Sequence, residues 1–106
     1  MDQTKLRHIV LFGFKDGTTE AEIDEIARRF GVLATEVDGV DGFEWGVNNS
    51  PEGKSGGHEH CFVLTFVSEA ARDAYLPHPK HKEFVAFASA WIERALVVDY
   101  WAQAAG

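Results

Sequence analysis

Tyr75-Leu76-Pro77-His78-Pro79-Lys80-His81 sets a phenol and two imidazoles at a point where the chain has to break a helix. Proline disfavours helical geometry in the residue before it yet fits the first helical position, so Pro77 and Pro79 bracket the break and a new helix starts near Pro79. His81 then falls in the first turn, where unpaired backbone N–H groups and the positive end of the helix dipole disfavour an imidazolium. A neutral imidazole can act as a base. The competing reading is a polar residue on the surface of a helix, with no chemistry attached.

The pattern that follows favours the first reading. Phe84, Phe87, Ala88, Trp91, Ile92 and Ala95 recur at three- and four-residue spacing, and His81 lies within the same arc. This predicts one amphipathic helix ending near Ala95, with His81 pointing inward. An inward histidine wants a polar partner or a cavity.

With 106 residues, 45% hydrophobic and 12% aromatic, residues 1–106 make a single domain with a real core. A formal net charge of −7 without a Lys/Arg cluster argues against nucleic acid and anionic membranes as partners. A small-molecule ligand or a protein partner fits better. Met1 to Lys5 leads into a strand with no signal-like segment and no apolar run reaches membrane-spanning length, so the expected location is cytoplasmic. The single cysteine, Cys61, reads as a small buried hydrophobe, compatible with a reducing compartment.

Several elements must position the phenol and imidazoles. Leu6 to Phe14 reads as a strand, and Thr19 with Glu22 forms a capping box opening a helix that Gly39 ends. That helix keeps Ile23, Ile26, Ala27, Phe30, Leu33, Ala34 and Val37 on one face. Phe43, Trp45 and Val47 alternate in a second strand, and residues 48–57 form a loop that looks poorly ordered. His58 to Val67 is a third strand, a short helix begins after Ser68 and stops at the prolines, and Leu96 to Trp101 closes as a fourth strand.

The order β-α-β-β-α-β favours an α+β, ferredoxin-like domain: a four-stranded antiparallel sheet with helices on one face and the first and third strands central. Two helices packed on one face leave the other side of the sheet uncovered. Ile9, Leu11, Cys61, Val63 and Val67, or else the opposite set on the same strands, leave the other side too apolar for a soluble monomer, which predicts a homodimer closed through the helix-free faces as an α+β barrel.

The chain resembles the stress-responsive A/B barrel (Dabb) family. The resemblance is carried by His8-Ile-Val-Leu-Phe-Gly-Phe-Lys-Asp16, Phe43-Glu-Trp-Gly46, His60 with Leu64-Thr-Phe66, the Tyr75 to His81 stretch and Val98-Asp-Tyr100. It spans almost the whole chain. Plant polyketide cyclases are one branch of that family, and similarity to them implies a catalytic role for Tyr75 and His81. The histidine would remove a proton from an acidic C–H between carbonyls while the tyrosine hydroxyl holds a carbonyl, with no cofactor. Asp99 would orient His81, and His8, Val10, Phe12, Phe30, His60 and Phe62 would line the substrate cavity. The alternative implied by the family is a stress-protective binding protein without turnover.

Two metal readings complete the analysis. His58, His60, His78 and His81 supply four imidazoles, but on a strand and a helix that nothing in the sequence brings together, so no transition-metal site is expected. The family also suggests a hard cation on main-chain oxygens around Ala34, Val37 and Val40, where the first helix ends.

Overall fold

A computed structural model describes residues 5–103, so residues 1–4, part of the segment expected to lead into the first strand, lie outside the described residues. The elements are β1 (Leu6–Phe14), α1 (Glu20–Glu36), β2 (Val40–Val47), β3 (His60–Phe66), α2 (Glu69–Tyr75), α3 (Pro79–Ala88) and β4 (Ile92–Trp101). The strands form one antiparallel sheet in the order β2-β3-β1-β4. β1 and β3 are central, as the ferredoxin-like expectation requires.

Each start has a local cause. Thr19 accepts from the Glu22 N–H while the Glu22 carboxylate accepts from the Thr19 N–H, completing the capping box at α1. Ser68 caps α2 through the Ala71 N–H, and the His78 imidazole caps α3 by accepting from the Lys80 N–H. Pro79 occupies the first helical position. The helix break is therefore a C-cap at Leu76 followed at once by an N-cap at His78.

Alternation along β1 sorts the two sides of the sheet. Leu6, His8, Val10 and Phe12 are buried beneath the helices, joining Phe62, Leu64 and Phe66 of β3. The α1 face of Ile26, Ala27, Phe30, Leu33 and Ala34 closes on them, and Phe30 packs its ring 4.6 Å from that of Phe84 in α3. This is the core. On the opposite side Ile9 stands between Val63 and Val98, and Leu11 between Cys61 and Leu96.

Two expectations need correcting. The helix after Pro79 does not run to Ala95 but stops at Ala88, and β4 starts at Ile92 instead of Leu96. β1 is the reason: it offers a ladder as far as Phe14, and Ile92 pairs with it across a bulge at Gly13/Phe14, so sheet hydrogen bonds override the helical pattern of Trp91, Ile92 and Ala95. Trp91 still serves the same face, packing on Phe87 with ring centroids 5.0 Å apart. β3, likewise, begins at His60 and not His58.

Residues 48–57, expected to be the least ordered part, are tied down. Asn48 donates to the Glu59 carboxylate, Ser55 bonds the same carboxylate, and the Arg94 guanidinium donates to the Gly56 carbonyl. Gly13 lets that loop approach: a Cβ there would collide with the Gly57 carbonyl and lie 2.7 Å from Cγ of Arg94.

Candidate functional site

Between the helix side of β1 and β4 and the break joining α2 to α3 lies a cavity of about 410 Å³. Its walls are mostly apolar, with His8, Tyr75, His81 and Ser89 as the polar exceptions. Leu76, Val85 and Val97 form an exposed apolar rim.

Tyr75 is the last residue of α2 and is wholly buried, its ring packed against Phe66 at 5.1 Å and against His81 at 4.4 Å. Its hydroxyl is buried with no hydrogen-bond partner among the described residues. Burial pushes the phenol pKa far above its ordinary value, so it stays a donor. A buried donor without a partner is costly, by about 1–3 kcal/mol.

His81 reaches back across the break. Its Nδ1 lies 2.9 Å from the carbonyl of Leu76, a group freed by the end of α2. A carbonyl only accepts, so Nδ1 carries the hydrogen and a neutral ring keeps its lone pair on Nε2. Burial is the main cause that pushes the His81 pKa below 6.5, with repulsion from His8 and His78 adding to it, while the Leu76 carbonyl partly opposes it. The result is a neutral base beside a protonated phenol.

Asp99 does not sit at His81 as expected. It lies directly across the ladder from His8, accepting from His8 Nδ1 at 2.7 Å and from Arg72 Nη1 at 3.1 Å. The Leu76 carbonyl takes the orienting place at His81 instead, because the break brings it there. Among the expected lining residues, His8, Val10, Phe12 and Phe30 reach the cavity. His60 and Phe62 do not. Phe62 backs the wall, stacked on Phe30 at 5.1 Å, and His60 lies one strand pair further along, its ring 5.0 Å from that of Phe14. Its Nδ1 is buried without a partner among the described residues, and burial lowers its pKa from 6.5.

Sequence reasoning missed Val97, Ser89, Val85 and Arg72. Val97 was within reach, being the cross-strand partner of Val10. Arg72 carried only the signal of standing three residues before Tyr75 on one helix, where side chains neighbour each other.

The other imidazoles stand apart: His58 Nδ1 bonds the Ser55 carbonyl and His78 caps α3. Among the described residues no group of three His, Cys, Asp or Glu side chains could hold a metal ion. Ala34, Val37 and Val40 border a separate depression that also brings in Asp38 and Asp41, hard oxygen donors of the kind a cation such as magnesium takes. No helix among the described residues is long and apolar enough to cross a membrane.

Comparison with known proteins gives a consistent picture. A profile of the Stress Responsive A/B Barrel Domain matches residues 6–102. The crystal structure of At3g17210 from Arabidopsis thaliana superposes with a TM-score of 0.91 at 31% identity, covering 95% of this chain and 98% of that one. A dimeric ferredoxin-like protein of unknown function from Jannaschia sp. CCS1 gives a TM-score of 0.78 at 31% identity over 91% of this chain and 97% of its own. Olivetolic acid cyclase from Cannabis sativa is 27% identical over 90% of this chain and 94% of its own length.

Proposed function

Because this chain belongs to the stress responsive A/B barrel domain family, we propose that it is a homodimeric enzyme that removes a proton from a carbon beside a carbonyl, as a polyketide cyclase does. His81 is the base through Nε2 and Tyr75 holds the carbonyl oxygen. The observation that carries this reading is the Tyr75 hydroxyl, a buried donor without a partner on a residue that shares a cavity wall with His81. A ligand carbonyl would satisfy that donor, and as the proton leaves the carbon the hydrogen bond would strengthen on the developing enolate. The apolar walls suit an uncharged, largely hydrocarbon ligand.

The dimer reading rests on the helix-free side of the sheet. Leu96 and Val98 are 48% and 50% exposed there, continuous with Ile9, Leu11 and Val63. A second copy would cover this surface, as two-fold association of one patch does, and a relative of similar fold is dimeric. One free cysteine is in keeping with a cytoplasmic location.

The test is exchange of the acidic C–H of a β-keto thioester in heavy water, followed by NMR. The wild type should catalyse exchange, and His81→Gln should lose about a hundredfold or more of it while remaining a folded dimer. Binding of the thioester without any catalysed exchange would identify a non-catalytic binding protein instead.

A further inference from the structure

Resting on the reading of the cavity as a carbonyl site, we propose that Arg72, acting through Asp99, is a positioning residue that fixes His8 as acceptor for a hydroxyl of the ligand. Three elements meet in this chain of contacts. His8 comes from β1 and is only 5% exposed, Asp99 from the facing position of β4, and Arg72 from α2, where its Nε also bonds Asp73 at 2.9 Å.

The tautomer follows from the partners. Both oxygens of Asp99 accept, one from His8 and one from Arg72, so His8 Nδ1 carries a hydrogen, and in the tautomer with that hydrogen the lone pair stands on Nε2. Arg72 holds the carboxylate on the side away from His8, which keeps it from rotating off the imidazole. The cavity wall therefore includes two imidazoles able to accept at Nε2, those of His8 and His81, and a phenol without a partner among the described residues. Among the described residues no lysine or arginine lines it.

That inventory selects a ligand. A compound with a carbonyl alone would pair with Tyr75 and bury Nε2 of His8 without a partner, which costs free energy. A carbonyl compound that also carries a hydroxyl would meet both. A carboxylate or phosphate would find no cation in the walls and would face two lone pairs, so the ligand is an uncharged hydroxy-carbonyl compound.

The experiment compares two probes, 3-hydroxyacetophenone and 3-methylacetophenone, by NMR titration against the wild type, His8→Phe, Arg72→Met and Arg72→Lys. The wild type should prefer the hydroxy probe by about tenfold, the value of one well-made buried hydrogen bond. The preference should vanish in His8→Phe, shrink to about threefold or less in Arg72→Met, and recover in part in Arg72→Lys. The ¹⁵N shifts of His8 should report a hydrogen on Nδ1 in the wild type and a mixture of tautomers in Arg72→Met. An unchanged preference in His8→Phe or Arg72→Met would overturn the proposal, as would a hydrogen on Nε2 alone in the wild type, a readout that stands even if Arg72→Met fails to fold. Equal binding of both probes defeats this inference only. Failure of either probe to bind the wild type defeats the carbonyl-site reading beneath it as well.

Discussion

Tyr75 is where stability and function pull apart. Its hydroxyl is buried without a partner among the described residues, so Tyr75→Phe removes a cost without opening a void, and the variant should melt at the same temperature as the wild type or a few degrees higher. Carbonyl binding and catalysed exchange should fall at the same time, and calorimetry beside the exchange assay reads both. Acid acts through the imidazoles. Burial holds His81 and His60 below 6.5, so below that pH the unfolded chain takes up protons that the folded chain refuses. Stability should be at full strength above about pH 6.5 and decline as pH falls below it, towards the depressed folded values, visible as a falling melting temperature between pH 7 and pH 5. Catalysed exchange should fade over the same acid limb as His81 is protonated. The tyrosine and histidine of the site were legible in the sequence because prolines mark the break that carries them. The partner of Asp99 was not, since three imidazoles compete for one carboxylate and only strand register assigns it to His8.

At the level of elements, the sheet decided what periodicity alone misread. Residues 81–95 satisfy a helical repeat, yet β1 extends to Phe14 and its unpaired backbone groups claim Ile92 to Ala95 for a strand. The capping box, the strand at Leu6–Phe14 and the helix start at Pro79 were readable because each is set by local residues. The bulge at Gly13/Phe14 and the approach of Gly57 to Gly13 were not, because the first arises in pairing with β4 and the second with a loop, both far along the chain. That contact has a direct test. Gly13→Ala forces a methyl group into the Gly57 carbonyl and the Arg94 side chain, so it should cost about 1–3 kcal/mol in denaturant unfolding. Removing the α1 cap by Thr19→Ala should cost about 1 kcal/mol in the same assay.

For the whole molecule the expected assembly is two chains joined through the helix-free faces. Sedimentation should report twice the chain mass, and Val63→Asp, which places a charge at the centre of the apolar face, should yield monomers with the cavity intact. A monomeric wild type would exclude this assembly. On the proposed reading the sheet is a partition between two tasks, and β1 bears both: His8, Val10 and Phe12 look to the cavity, while Ile9 and Leu11 look away from it. Side chains on either side can therefore be exchanged one at a time without disturbing the other task, which leaves the chemistry of such a domain free to diversify while its assembly is kept. A deletion of one residue within β1 has no such freedom. It would turn the side chains on one side of the deletion to the opposite face, undoing both proposed tasks in a single genetic event.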